Sequence, residues 1–306
     1  KSKEGSLEDA KRIYQDILRR FPANKKAKIG FKSLSGSPIG KDQKILDPPQ
    51  DQQQRLINLY SQGQLQQALD QAKSLLEQFP HSILLYNICG AVYAAFKYYN
   101  AAIDCYKQAL KIKPDYADAH SNMGNALKDK GELDAAIDSY KQALKIKPDY
   151  ADTHSNMGNV LKDKGELDAA IDSYKQALKI KPDYAEAHSN MGIALQEKGE
   201  LDAAIDSYKQ ALKIKPDYAE AHSNMGIALK DKGELDAAID SFKQALNINP
   251  DLAEAHSNMG IALKDKGELD AAIDSYKQAL AIKPDYADAH YNMGVVLQER
   301  GELDAA

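Results

Sequence analysis

Apolar positions recur along this chain at helical spacing, and the whole pattern returns every 34 residues. Within Ala117–Tyr150, His120, Met123, Gly124 and Leu127 fall at i, i+3, i+4 and i+7, which lines one face of a helix. Leu133, Ala136, Ile137, Tyr140, Ala143 and Leu144 keep the same kind of spacing and predict a second amphipathic helix. Between the two, Lys130-Gly131 supplies a residue that tolerates the left-handed geometry ending a helix. Pro148 stops the second helix, because its ring cannot continue the hydrogen-bond ladder. Asp149, with Asp152 three residues on, is expected to cap the next first helix. Gly124 and Ala136 are small where two helices must touch closely. The unit is an αα-hairpin.

The unit returns as Ala151–Tyr184, Ala185–Tyr218, Ala219–Leu252 and Ala253–Tyr286, and a sixth copy starts at Ala287 and is cut off at Ala306. A period of this length marks a stacked array in which each hairpin buries its apolar face on its neighbours. Small residues stand at the eighth, twentieth and twenty-seventh places (Gly124, Ala136, Ala143), an aromatic at the twenty-fourth (Tyr140) and proline at the thirty-second (Pro148). In that set, recurring in register, the chain resembles the tetratricopeptide repeat family. It departs from the family at the fourth place, a histidine, and at the eleventh, a leucine. The resemblance implies an all-α, right-handed α-solenoid, a superhelix of helix-turn-helix repeats.

The rest of the chain is less regular. Residues 1–34 read as partial N-terminal repeat helices, with Gly5, Leu7, Ala10, Tyr14, Ile17 and Pro22 in second-helix places and Ile29-Gly30 in first-helix places. Residues 35–48 are turn-rich without apolar periodicity and read as a linker. Residues 49–116 form two divergent repeats, in which Lys97 stands where glycine is expected and Tyr98-Tyr99 follow. Residues 117–286 are five near-identical repeats, and residues 287–306 are a truncated sixth copy. An array that starts and stops inside a repeat is expected to be a piece of a longer polypeptide, and an uncapped end could stack on another copy.

Charge changes the picture in one respect. The net charge is −5, yet residues 1–48 hold 12 Lys/Arg against 6 Asp/Glu, which leaves −11 on residues 49–306. An array of that sign repels phosphate, so nucleic acid is not an expected partner. No apolar run is long enough to span a bilayer, and no leader is visible, so neither membrane contact nor secretion is expected. Cys89 and Cys105 fall in one hairpin without other ligands at metal spacing and read as buried thiols. Their scarcity points weakly to a reducing cytoplasm.

Function has to come from the face that the stack presents. First helices are expected to line a concave groove, with Ser121, Asn122, Asn125, Lys128 and Asp129 and their equivalents facing it. Asn122, Asn156, Asn190, Asn224, Asn258 and Asn292 hold the sixth place of every copy. An asparagine side chain both donates and accepts, so a column of them can pair with the backbone of an extended peptide whatever its sequence. The column resembles the asparagine ladder of O-linked N-acetylglucosamine transferases. That likeness implies peptide contact by these six, joined by Asn125, Asn159, Lys128, Lys162, Lys230 and Lys264 on the same face. Ile88 fills the ladder position one repeat earlier, so the ladder is expected to begin at Asn122.

His120, His154, His188, His222, His256 and His290 form a second column. Neighbouring helices lie about 8–10 Å apart, too far for adjacent histidines to share a zinc ion. They read as packing residues in the place usually held by an aromatic, with a response to acid as the sharper alternative. No phosphate-cradling glycine loop, nucleophile elbow or unique catalytic cluster is present, so neither catalysis nor a cofactor is expected within these residues. The reading is a scaffold that binds an extended peptide or partner protein. The alternative is the substrate-recruiting arm of a larger transferase, such as the repeat-bearing glycosyltransferases and sulfotransferases of bacteria, with its catalytic domain beyond Ala306.

Overall fold

The computed structural model describes residues 47–301. The contact pattern divides the chain between Pro48 and Pro49, and the architecture below belongs to the part after that division. The expected N-terminal helices and most of the linker fall outside the described residues, as does the second helix of the sixth copy.

Among the described residues there are fifteen helices and no strands. They run as hairpins: α1 (Gln50–Ser61) with α2 (Leu65–Gln78), and α3 (Ile83–Ala95) with α4 (Tyr99–Ile112). The regular copies follow as α5 (Ala117–Lys130) with α6 (Leu133–Ile146), α7 (Ala151–Asp163) with α8 (Leu167–Ile180), and α9 (Ala185–Glu197) with α10 (Leu201–Ile214). Then come α11 (Ala219–Asp231) with α12 (Leu235–Ile248), α13 (Ala253–Asp265) with α14 (Leu269–Ile282), and α15 (Ala287–Glu299). Each helix packs on the one before and the one after it, which makes the array an all-α solenoid.

The turn inside each hairpin needs a left-handed residue, and glycine supplies it. Gly131 sits at φ +89° and Gly199 at φ +83°. Lys97 occupies the same place in the α3–α4 hairpin and adopts φ +61° despite its side chain, a strain of roughly 1–2 kcal/mol. The small eighth-place glycine has a different task. A Cβ on Gly124 would lie 2.5 Å from the ring of Tyr140, and one on Gly192 would lie 2.6 Å from that of Tyr208. The aromatic is therefore seated against bare helix backbone. Tyr140, Tyr174, Tyr208, Phe242 and Tyr276 are fully buried there, and with Ala136, Ile137 and their equivalents they form one continuous core.

One expectation fails. Asp149 does not cap α7: the helix starts at Ala151, Tyr150 holds the cap position, and no side chain bonds the first-turn amides. Asp149 lies one residue too early. The junction is held instead by His154, whose Nε2–H donates to the Pro148 carbonyl at 3.0 Å, and by the half-buried Tyr150 ring with the Lys147 Nζ 4.2 Å from its centroid. The other column histidines repeat this bond, as His188 to Pro182 and His256 to Pro250, both at 3.1 Å. A carbonyl only accepts, so Nε2 carries the proton and the histidine ties each first helix to the turn before it.

First helices of successive hairpins touch one another, whereas successive second helices stand further apart. The array therefore curves with its first helices on the inner side. Along the edge, ion pairs fasten each repeat to the next: Lys164 Nζ to Asp134 at 2.6 Å, and Lys198, Lys232 and Lys266 to Asp168, Asp202 and Asp236 at 2.7 Å. Arg300 and Asp270 continue the row. Asn100 stands where the aspartate would be one repeat earlier, so among the described residues Lys130 pairs with Glu132 alone, at 2.6 Å. The thiols belong to the core: Cys89 is buried and Cys105 half-buried, and burial pushes them up to about 12 and about 11.

Candidate binding groove

The inner face is built by the sixth, ninth, twelfth and thirteenth places of the first helices, which share one side of a helix at spacings of three and four. The asparagine column lies on it, and all six members are half-buried. Ser121 does not share that face as expected: it is 4 % exposed and its hydroxyl pairs with Thr153 Oγ1 of the next first helix at 2.8 Å.

The six ladder asparagines are not equivalent. Asn156 Nδ2 donates to Asn125 Oδ1, and Asn190 Nδ2 to Asn159 Oδ1, both at 3.1 Å. Each acceptor also receives a buried phenol, Tyr140 on Asn125 and Tyr174 on Asn159, both at 2.7 Å. Asn125 and Asn159 are thus fixed inside the groove wall, holding a core hydroxyl on one side and a ladder amide on the other. Asn122 is tied in the same way, to Asn87 Oδ1 at 3.1 Å. Asn87 does not occupy the ladder position, but it supplies the acceptor that the ninth place supplies later.

In the third, fourth and fifth copies the ninth place is isoleucine: Ile193, Ile227 and Ile261. An isoleucine accepts nothing, and among the described residues no hydrogen bond reaches the side chains of Asn224, Asn258 or Asn292. The phenols lose the same partner and solve the problem in three ways. Tyr208 donates to Gln196 Oε1 at 3.1 Å. Position 242 is phenylalanine and has no hydroxyl to satisfy. Tyr276 keeps a buried hydroxyl without a partner among the described residues. Burial raises the phenol pKa in every one of these tyrosines, so they remain neutral donors.

At the twelfth place, Lys128, Lys162, Lys230 and Lys264 are half-buried and each pairs with the aspartate that follows it, at 3.1, 2.9, 3.0 and 3.5 Å. The third copy departs again, with Gln196 and Glu197. Gln196 Nε2 donates to Asp231 Oδ2 at 3.1 Å. Beside this bond a recess of about 400 Å³ opens, lined by Ile193, Gln196, Glu197, Tyr208, Asn224 and Asp231. Among the described residues no group of three or more His, Cys, Asp or Glu is placed to hold a metal ion. Nor is any helix there long and apolar enough to cross a membrane.

With that geometry in view, a profile of the TPR repeat matches the chain six times, at residues 98–131, 124–165, 158–199, 194–233, 228–267 and 262–301. The chain belongs to the tetratricopeptide repeat family. The TPR array is also similar to MamA, at 32 % identity and TM-score 0.51, over 54 % of this chain and 96 % of that one. Against Cut9-Hcn1, from the hetero-tetramer of the APC/C, the TM-score is 0.64 at 19 % identity, covering 95 % of this chain and 52 % of that one, a likeness of fold alone. The probable UDP-N-acetylglucosamine–peptide N-acetylglucosaminyltransferase SEC of Arabidopsis thaliana is 33 % identical over 76 residues, which is 25 % of this chain. The match spans only 8 % of that enzyme's length. As a TPR protein the chain is an interaction scaffold built from repeats.

The residues that sequence reasoning passed over are those at the ninth place of the third to fifth copies, together with Gln196 and Glu197. Their signal in the sequence is the few departures from an otherwise copied unit.

Proposed function

We propose that the groove binds an extended peptide, or an extended segment of a partner protein, whose backbone pairs with the asparagine column. The observation that carries this reading is the set of half-buried amides at Asn224, Asn258 and Asn292, on the inner face and without hydrogen-bond partners among the described residues. A partly desolvated amide gains most from a partner that brings its own donors and acceptors, as peptide backbone does. An extended peptide advances about 3.3 Å per residue and stacked helices about 8–10 Å, so one amide meets roughly every third residue. Side-chain identity then matters little along the column.

A second reading is the substrate-recruiting arm of a larger transferase. The match to part of an N-acetylglucosaminyltransferase favours it, and the same groove would then present substrate polypeptide to a catalytic domain outside this chain. Both readings require binding. The test is fluorescence anisotropy with labelled extended peptides, comparing the parent with the Asn224→Ala, Asn258→Ala, Asn292→Ala triple variant. The expected result is at least tenfold weaker binding with unchanged helicity, about 1.4 kcal/mol. Equal affinity in a folded variant contradicts the groove reading.

A further inference from the structure

We propose that the recess between α9 and α11 is a side-chain pocket that selects a lysine or arginine of the bound peptide. This rests on the groove reading above and adds the chemical class of its ligand. Three departures from the copied unit coincide beside one recess. Ile193 replaces the acceptor that ties Asn156 and Asn190, which frees Asn224 to hold backbone. Gln196 replaces the twelfth-place lysine, which removes a cation from the wall. Glu197 is then left with no ion pair among the described residues, in contrast to Asp163, Asp231 and Asp265, each of which is held by its own lysine. The recess, of about 400 Å³, lies open between these groups.

The fit follows from the arrangement. Ile193 offers an apolar wall for a long aliphatic stem, and the exposed Glu197 lines the same recess and can take a cationic head. Asp231 already pairs with Lys230 on one oxygen and accepts from Gln196 on the other, so its charge is largely used. Glu197 is the open site. Its influence reaches the Tyr208 phenol, whose pKa it helps to raise after burial has done most of the work. A glutamate or aspartate in the same place would meet like charge in an array at −11.

The probes are three fluorescent peptides of about ten residues that alternate threonine and valine and differ at one central position: lysine, norleucine or glutamate. The lysine peptide is expected to bind about fivefold tighter than the norleucine peptide, and the glutamate peptide weakest. Glu197 is exposed, so Glu197→Gln folds; it should erase the lysine preference and leave norleucine binding unchanged. Glu197→Lys should move the preference to the glutamate peptide. Binding of all three with equal affinity, or a lysine preference that survives Glu197→Gln, overturns the pocket and leaves the groove reading standing. Failure of all three peptides to bind overturns both.

Discussion

Residues 117–184 and residues 185–286 have the same helices, the same turns and the same core, yet their inner faces differ in chemistry. In the first pair of copies Asn125 and Asn159 each accept a phenol and a ladder amide, so the polar groups of the wall satisfy one another. In the next three, Ile193, Ile227 and Ile261 accept nothing, and the ladder amides one copy further on, Asn224, Asn258 and Asn292, are left to the groove. The ninth place of each copy decides whether the ladder asparagine of the next copy acts as wall or as site. A column of identical residues is therefore not a column of identical groups.

The largest expected effect falls on what the two regions share. Gly192→Ala drives a methyl to 2.6 Å from the Tyr208 ring, and Gly158→Ala meets Tyr174 at 2.7 Å. Both should cost about 3 kcal/mol in chemical denaturation, and to a similar extent; a tolerated alanine in either would mean that the scaffold is not common to them. Next comes Asn159→Ile, which makes the second copy resemble the third. It strands the Tyr174 hydroxyl and should cost about 1–3 kcal/mol while releasing the Asn190 amide. Adding Tyr174→Phe should recover most of that loss, since Phe242 stands beside Ile227 in the fourth copy.

Smaller is the contrast between two single hydroxyl deletions. Tyr174→Phe breaks a bond of 2.7 Å and should destabilise by about 1 kcal/mol. Tyr276→Phe removes a buried hydroxyl that has no partner and should be neutral or stabilising in the same unfolding measurement. The smallest effect concerns the edge pairs. Lys164 beside Asp134 holds that carboxyl below its usual range, so its contribution is present above the unfolded carboxylate pKa and fades as pH falls through the lowered one. Asp134→Asn should lower the thermal midpoint slightly at neutral pH in dilute salt, and the difference should vanish at about 1 M salt.

Much of this was legible in the sequence because it depends on short range. The period of 34 residues, the helix faces, the turn glycines and the stop at Pro148 are set by neighbours within one hairpin. The inner face of the ladder could be read for the same reason. What was hidden depends on a partner 31 residues away, in the preceding copy, as in the bond from Asn156 to Asn125. Spacing shows that the two asparagines recur, but not that one donates to the other. Ser121 was hidden likewise, because its hydroxyl turns between helices to Thr153. Asp149 misled because aspartate is a good cap in isolation, while here the half-buried Tyr150 ring and the His154 bond to Pro148 fix the start of the helix.

The most direct test of the division is a titration of the asparagine side-chain amides, followed by NMR in isotope-labelled protein with the lysine-bearing peptide. The Nδ2 resonances of Asn224, Asn258 and Asn292 should shift on binding, while those of Asn156 and Asn190 stay in place, held by Asn125 and Asn159. Equal shifts along all of the column, or shifts confined to Asn156 and Asn190, would contradict that division.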